Sequence, residues 1–523
     1  MIIVITLNSR DVAEVTLLPE VHACIERLSF ILSSGKSACQ EPQAVGVRRN
    51  HIAVHEGEIA MRSRNACGPI LLAITVAIAV LIASPPAVAQ SGAGELHWVG
   101  TWATSPQATT SISFNNQTLR MIIHTSIGGH TVRVRFSNGY GIATDSGGGA
   151  LVIGAAHVAL RAPCTVIYNG YLYDPGPPAV QPPPPGGTCS TLAGSAIVPN
   201  SDRVLTFGGS TSTTVYSGAV MVSDPVDLDV PPLADLAVSF YLPAAAPASV
   251  TRHGTAKQTS YISAPDAGDL TAATVMPPDT SLTTSWYFLN TVDVLASDQT
   301  GAIVTLGDSI TDANVSTQDT NFRWPYELAR RLVTQPGNHQ MGVLDHGTGG
   351  DKVTWDSTSA VVGSNESGQH RFDRDVIAAP GVRYVIVLLG VNDLRNSSPP
   401  DDPALVVSAD DVINGYKQMI LRAHSAGVKI YGGTLTPWWQ SFFTNDNWTL
   451  EKWQKHAAIN RWIRTSGAFD AVIDFDKCLA DPSDPRKMLP IYDSGDHLHP
   501  SDLGYVHMGD CIDLTLFKNG QGH

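Results

Sequence analysis

The run Ala302-Ile303-Val304-Thr305-Leu306 stops abruptly at Gly307-Asp308-Ser309, and residues 321–332 then have a helical composition. A short β-branched apolar run closed by glycine is the pattern of a strand buried on both faces, as in a parallel sheet. A strand followed by a helix sets Ser309 on the turn at the strand's carboxyl end, where open α/β sheets hold their ligands. A backbone N–H at such a turn, near a helix N-terminus, can face an anion. By itself the tripeptide reads equally well as an ordinary turn, so the residues further along decide.

Beyond this point the pattern alternates between strand and helix. Residues 302–306, 383–389, 428–435 and 471–475 are strand candidates. A helix is predicted from Ser408, a good N-cap, to Gly427, a good C-terminal stop. Val412, Ile413, Tyr416, Ile420 and Ala423 give it one apolar face. A second helix is predicted from Leu450 to Ser466, ending at Gly467. This alternation predicts a parallel sheet covered on both faces over residues 298–523.

Upstream, residues 90–297 read differently. Val132, Val134 and Phe136 alternate with Arg133 and Arg135, the period of a half-buried strand. Gly128-Gly129 and Asn138-Gly139 flank it as turn signals. Further strands are predicted at 119–125, 218–222 and 236–242, with no long helical period between them. The expectation is an all-β, sandwich-like domain. The proline-rich stretch 175–187 lies between Cys164 and Cys189 and reads as a surface loop tied at its base.

The compartment follows from the N-terminal part. Basic residues in Met61-Arg62-Ser63-Arg64, an apolar run over 69–83 and Ala87-Val88-Ala89 make the three-part pattern of a secretory signal peptide over 61–89. The apolar run is short for a membrane span, which needs roughly 20 residues, so no stable span is expected after cleavage. Residues 1–60 are read as an upstream extension, non-native or disordered, with Met61 as the true start. Of seven cysteines, four follow the expected cleavage point: Cys164, Cys189, Cys478 and Cys511. An even count in an exported chain favours disulfides. Three pairings are allowed, and the local ones, Cys164–Cys189 and Cys478–Cys511, are expected. With 33 Lys+Arg against 47 Asp+Glu and no basic run in the body of the chain, no nucleic-acid partner is expected on electrostatic grounds.

The last informative block is Asp493-Ser494-Gly495-Asp496-His497-Leu498-His499-Pro500. Asp496 and His499 are three apart, so one helical turn would set both on one side. A carboxylate beside an imidazole fixes its tautomer and stabilises the imidazolium, as a general base for serine requires. The same histidines and aspartates can be read as a metal-ligand cluster, but no matching third ligand group stands elsewhere, and no metal is expected.

Four blocks occur in order: Gly307-Asp308-Ser309, then Asp345-His346-Gly347-Thr348-Gly349-Gly350-Asp351, then Gly390-Val391-Asn392-Asp393, then Asp496 with His499-Pro500. Together they resemble the SGNH (GDSL-type) hydrolase superfamily over residues 302–512, and Trp98-Val99-Gly100-Thr101-Trp102 resembles the N-terminal region of secreted two-domain members. The resemblance implies a flavodoxin-like three-layer α/β fold and a carboxylic ester hydrolase needing no cofactor. It further implies Ser309 as nucleophile, His499 as base and Asp496 as its orienting acid, with Ser309, Gly350 and Asn392 forming the oxyanion hole. Asp345 and Asp351 stand where many relatives have Asn. An anionic Asp351 near an oxyanion is unhelpful unless it points away or pairs with Lys352. His424, His456 and His507 are read as structural or solvent-facing.

The substrate is expected to be a small-molecule or polysaccharide ester. Trp438, Trp439, Phe442 and Phe443, after the 428–435 strand, are candidate walls of an acyl or sugar pocket; simple cover for the sheet is the competing reading. A carbohydrate-binding acetyl-esterase acting on polysaccharide and a lipase acting on longer acyl chains are the alternatives to a general esterase.

Overall fold

The structure, a computed structural model, describes residues 6–7, 13–14, 95–142, 149–168, 171–172, 187–335, 341–356, 365–395, 406–441 and 448–517. The chain divides into two compact units, Met1–Ala89 and Gln90–His523. In the first, the described residues are two short antiparallel strands, Thr6–Leu7 and Ala13–Glu14. The expected signal peptide and most of the proline-rich loop lie outside the described residues.

The second unit contains a five-stranded parallel sheet: β1 (Gly301–Gly307), β2 (Met341–Gly347), β3 (Val382–Leu388), β4 (Lys429–Gly433) and β5 (Ala471–Ile473). Its strand order is 2-1-3-4-5, with every pairing parallel. The chain therefore reverses its winding between β1 and β3, and in such sheets the crevice beyond the strand ends opens at that point. All seven residues of β1 are buried, as its apolar run requires.

β2 was not among the strand candidates. Asp345 and His346 interrupt its apolar pattern, and both are buried with polar partners supplied by distant parts of the chain.

Among the described residues seven helices accompany the sheet: α1 (Trp324–Thr334), α2 (Gly368–Phe372), α3 (Val391–Arg395), α4 (Ala409–Ser425), α5 (Leu450–Thr465), α6 (Phe475–Leu479) and α7 (Asp502–Asp510). Ser408 and Asp411 form a reciprocal capping box at the start of α4, and Gly427 takes φ +72° just beyond its end. α5 is capped by Thr449 and followed by Gly467 at φ +67°. Among the described residues no helix is long and apolar enough to cross a membrane.

Residues 96–297 supply antiparallel strands, arranged chiefly in sheets of six, five and three. In strand Gly129–Ser137, Val132, Val134 and Phe136 are fully buried, each contributing roughly 1.5–3 kcal/mol. The alternating Arg133 and Arg135 both donate to Asp293 Oδ2, at 2.7 and 2.9 Å. The disulfides Cys164–Cys189 and Cys478–Cys511 join the two local pairs.

One hydrophobic core runs through both parts, from Val99 and Trp102 to Leu344 and Ile386. Strand Leu96–Ala103 lies against β2. Gly100 N–H donates to Pro380 O at 3.0 Å, and Val343 N–H of the edge strand donates to Ser126 Oγ at 2.9 Å. Packing the neighbouring strand here covers the outer edge of the sheet. The approach is so close that a Cβ on Gly342 would lie 2.0 Å from Gly100 O. Gly342→Ala is expected to lower the unfolding free energy by about 1–3 kcal/mol in urea titration; an unchanged midpoint would show that the seam is loose.

Candidate active site

Ser309 follows β1 directly. Asp308 shapes its turn: Asp308 Oδ1 accepts from Ile310 N–H at 2.9 Å, and Asp308 O accepts from Thr311 and Asp312 N–H. The helix expected after the strand starts only at Trp324, with Pro325 in its first turn. Irregular backbone fills the gap, including positive φ at Ala313, Val315, Asp319 and Asn321.

His499 arrives from the other end of the domain. Its Nε2 lies 2.9 Å from Ser309 Oγ, and its Nδ1 lies 2.6 Å from Asp496 Oδ2. The other Asp496 oxygen accepts from Leu498 N–H at 2.9 Å and His499 N–H at 2.7 Å. Asp496 and His499 thus meet in a loop cinched by an aspartate turn. No helical turn joins them, because α7 begins only at Asp502, capped by Ser501. Burial works to raise Asp496, but the His499 hydrogen bond and the two backbone donors outweigh it and hold the carboxyl down at about 2. Ser309 and His499 are buried, whereas the Asp496 side chain is partly open to solvent.

His497 and Asp493 pair with each other, Nδ1 to Oδ2 at 2.5 Å, apart from this chain. Among the described residues the group close enough to hold a metal is Cys478, His507 and Cys511, and its two cysteines are joined as a disulfide. His456 is buried against Leu435 O and Thr436 O, His507 stacks on Tyr492, and His424 faces Asp470.

The three expected donors, Ser309, Gly350 and Asn392, each follow the carboxyl end of a strand, β1, β2 and β3. Asn392 lies in α3, immediately beyond β3. Its Nδ2 donates to Asp351 O at 2.9 Å and its Oδ1 accepts from Arg395 Nη1 at 3.0 Å. With the oxygen held by Arg395, the amide nitrogen is the end presented to the glycine block. Gly350 sits at φ +81°, a conformation that strains any side-chain-bearing residue. Among the described residues neither Ser309 N–H nor Gly350 N–H donates to a protein acceptor. Asp393 fixes the spacing by accepting from Val353 N–H, Thr354 N–H and Thr354 Oγ, at 2.8, 3.0 and 2.6 Å.

Residues 305–506 match the family model described as GDSL-like lipase/acylhydrolase. This stretch is a GDSL-like hydrolase domain. The chain is accordingly an enzyme of ester bonds. Similar solved structures include a GDSL-like lipase from Bacteroides thetaiotaomicron, at 18% identity over 40% of this chain and 85% of that one, with a TM-score of 0.29. A carbohydrate acetylesterase from Sinorhizobium meliloti matches at 14% identity over 40% and 94%, with a TM-score of 0.31. An aryl esterase from M. smegmatis matches at 15% identity over 40% and 95%, with a TM-score of 0.32. No curated protein matches the chain.

Of the aromatic candidates in the GDSL-like domain, Trp438 is fully buried and belongs to the core, which removes it from any open pocket wall. Trp439 is partly exposed; Arg486 lies 3.6 Å over its ring and Trp448 packs beside it. Phe442 and Phe443 lie outside the described residues. A cavity of about 640 Å³, lined in part by His124, Arg161, Leu233, Phe322 and Tyr326, holds none of the residues around Ser309.

Sequence reasoning missed a buried polar layer beneath the nucleophile turn. Arg323 Nη1 donates to Asp312 Oδ1 at 2.7 Å and Asp345 Oδ2 at 2.8 Å, and His253 Nε2 meets Asp312 Oδ1 at 3.0 Å. Asp351 Oδ2 accepts from Arg371 Nε at 2.6 Å, so its partner is Arg371; Lys352 instead lies 4.1 Å over the Trp355 ring. No local signal marks these pairs, since Arg371 and His253 read as ordinary residues of a short helix and a strand.

Burial pushes Asp308 and Asp351 up to about 7. The unfolded value is near 4, so the folded form binds protons the unfolded chain has released. Their contribution to stability is full below about pH 4 and is lost as pH rises towards 7. Asp496, held down at about 2, acts oppositely: its contribution persists above pH 4 and disappears as pH falls towards 2. In urea titrations the Asp351 contribution is therefore expected to make the change in unfolding free energy from pH 4 to 7 less favourable in the wild type than in Asp351→Asn. Identical slopes in the two proteins would contradict this.

Proposed function

We propose that the chain is a secreted serine esterase that hydrolyses carboxylic esters through Ser309, His499 and Asp496. The observation that carries this reading is the unbroken hydrogen-bonded path from Ser309 Oγ through His499 to Asp496, formed at the β1/β3 crevice by residues 190 positions apart. Ser309 Oγ attacks the ester carbonyl while His499 Nε2 takes its proton. Asp496 keeps the imidazole in the tautomer whose Nε2 can accept, and stabilises the imidazolium that forms. The carbonyl oxygen, now anionic, is met by Ser309 N–H, Gly350 N–H and Asn392 Nδ2–H. Collapse of the tetrahedral intermediate breaks the carbon–alkoxy bond, and His499 gives its proton to the leaving alcohol. Water, activated by the same histidine, then releases the acyl group.

Export is supported by the signal-like pattern of 61–89 together with the two disulfides. In this reading residues 90–297 are a sandwich-like β module and 298–523 the hydrolase domain. The substrate is a small-molecule or polysaccharide ester, and in this reading Trp439, in the segment after β4, is a wall for its acyl or sugar portion.

Ser309→Ala is expected to abolish hydrolysis of p-nitrophenyl acetate while leaving the melting temperature near that of the wild type. Asn392→Ala is expected to lower kcat by roughly 10²–10³-fold. Retained turnover in a folded Ser309→Ala protein would refute the assignment.

A further inference from the structure

Arg371 is fully buried, and a buried cation is tolerated only where its donors find acceptors. Its donors reach into four separate segments. Nη2 donates to Gly307 O at 2.8 Å, the last residue of β1 and two before Ser309. Nη1 donates to His346 O at 2.8 Å, near the end of β2, and Nε to Asp351 Oδ2 at 2.6 Å. Nη1 also reaches Ser105 Oγ at 2.8 Å and Asp375 Oδ2 at 3.0 Å. Ser105 comes from the antiparallel part and donates onward to Asp375 Oδ2 at 2.7 Å.

The charge at stake is that of Asp351. It follows Gly350, its own backbone carbonyl takes the Asn392 amide, and its Oδ1 is buried without a hydrogen-bond partner. Once ionised, at and above about pH 7, this carboxylate beside two oxyanion donors opposes the negative charge that develops on the substrate oxygen, and in a water-poor site that opposition is strong. The guanidinium offsets it and fixes the side chain's direction.

We propose that Arg371 is a positioning residue for the oxyanion hole, neutralising Asp351 beside Gly350 and pinning the ends of β1 and β2, with Ser105 of the antiparallel part as its anchor. The proposal rests on the reading of Ser309 as nucleophile and Gly350 as donor. It makes residues 96–297 a working part of the active centre, because the cation that holds the hole is itself held by Ser105.

The test is a double-mutant cycle on the full chain, using an ester that the wild type turns over and Ser309→Ala does not. Arg371→Gln is expected to lower kcat on the order of 10²-fold, with KM within about twofold. Adding Asp351→Asn removes the unpaired charge and is expected to restore kcat by roughly tenfold or more. Melting curves are recorded for each variant. If Arg371→Gln does not fold, Ser105→Ala serves, since it deletes one hydroxyl and keeps the cation; kcat is then expected to fall several-fold at constant KM. No recovery in the double variant, a change confined to KM, or an unaffected kcat in Ser105→Ala would overturn the proposal. Activity persisting in Ser309→Ala would instead strike the underlying assignment.

Discussion

Charge buried without water must be met by a partner, and this requirement governs the region beneath Ser309. Asp308, Asp312, Asp345, Asp351, Asp375 and Asp393 are all buried around the nucleophile turn and the two loops beside it. Backbone donors answer part of the demand, as at Asp308 and Asp393. Two buried guanidinium groups answer most of the rest: Arg323 serves Asp312 and Asp345, and Arg371 serves Asp351 and Asp375. Each cation then needs acceptors of its own beyond these carboxylates.

Those acceptors tie the two halves of the second unit together. Arg323 donates to Thr255 O and Ala256 O, and Arg371 donates to Ser105 Oγ; all three belong to the antiparallel part. His253, from the same part, reaches Asp312. With the close approach of Gly100 to Gly342 and the continuous core, the parallel sheet and its neighbour share both packing and electrostatics. The proposed nucleophile therefore stands on a base contributed by both parts. Breaking a buried ion pair leaves an uncompensated charge at a cost of roughly 3–5 kcal/mol, so the network also resists local movement of the turn.

How much of this was legible in the sequence depended on the reach of the interaction. The β1 strand, the α4 helix with Ser408 and Gly427 at its ends, and the order Ser309, Gly350, Asn392, Asp496, His499 rest on local patterns and short motifs. The two disulfides followed from cysteine count and proximity. β2 escaped notice because Asp345 and His346 break its apolar run, and Arg323 and Ser105, from elsewhere in the folded chain, help make them tolerable there. Asp496 and His499 were expected on one helical turn, whereas backbone donors to Asp496 favour a cinched loop. Trp438 looked like a pocket wall because nothing local distinguishes a core tryptophan from an exposed one. Arg371 and Ser105 lie 266 positions apart and carry no motif.

The central claim is that Ser309 Oγ is an activated nucleophile. An aryl or alkyl fluorophosphonate reacts covalently with such a serine, and peptide mapping by mass spectrometry reports which residue carries the adduct. One phosphonyl group on Ser309 is predicted, absent from Ser309→Ala and formed at least about 10²-fold more slowly in His499→Ala. Labelling elsewhere in the chain, or an unmodified Ser309 in folded protein that hydrolyses esters, would contradict the account.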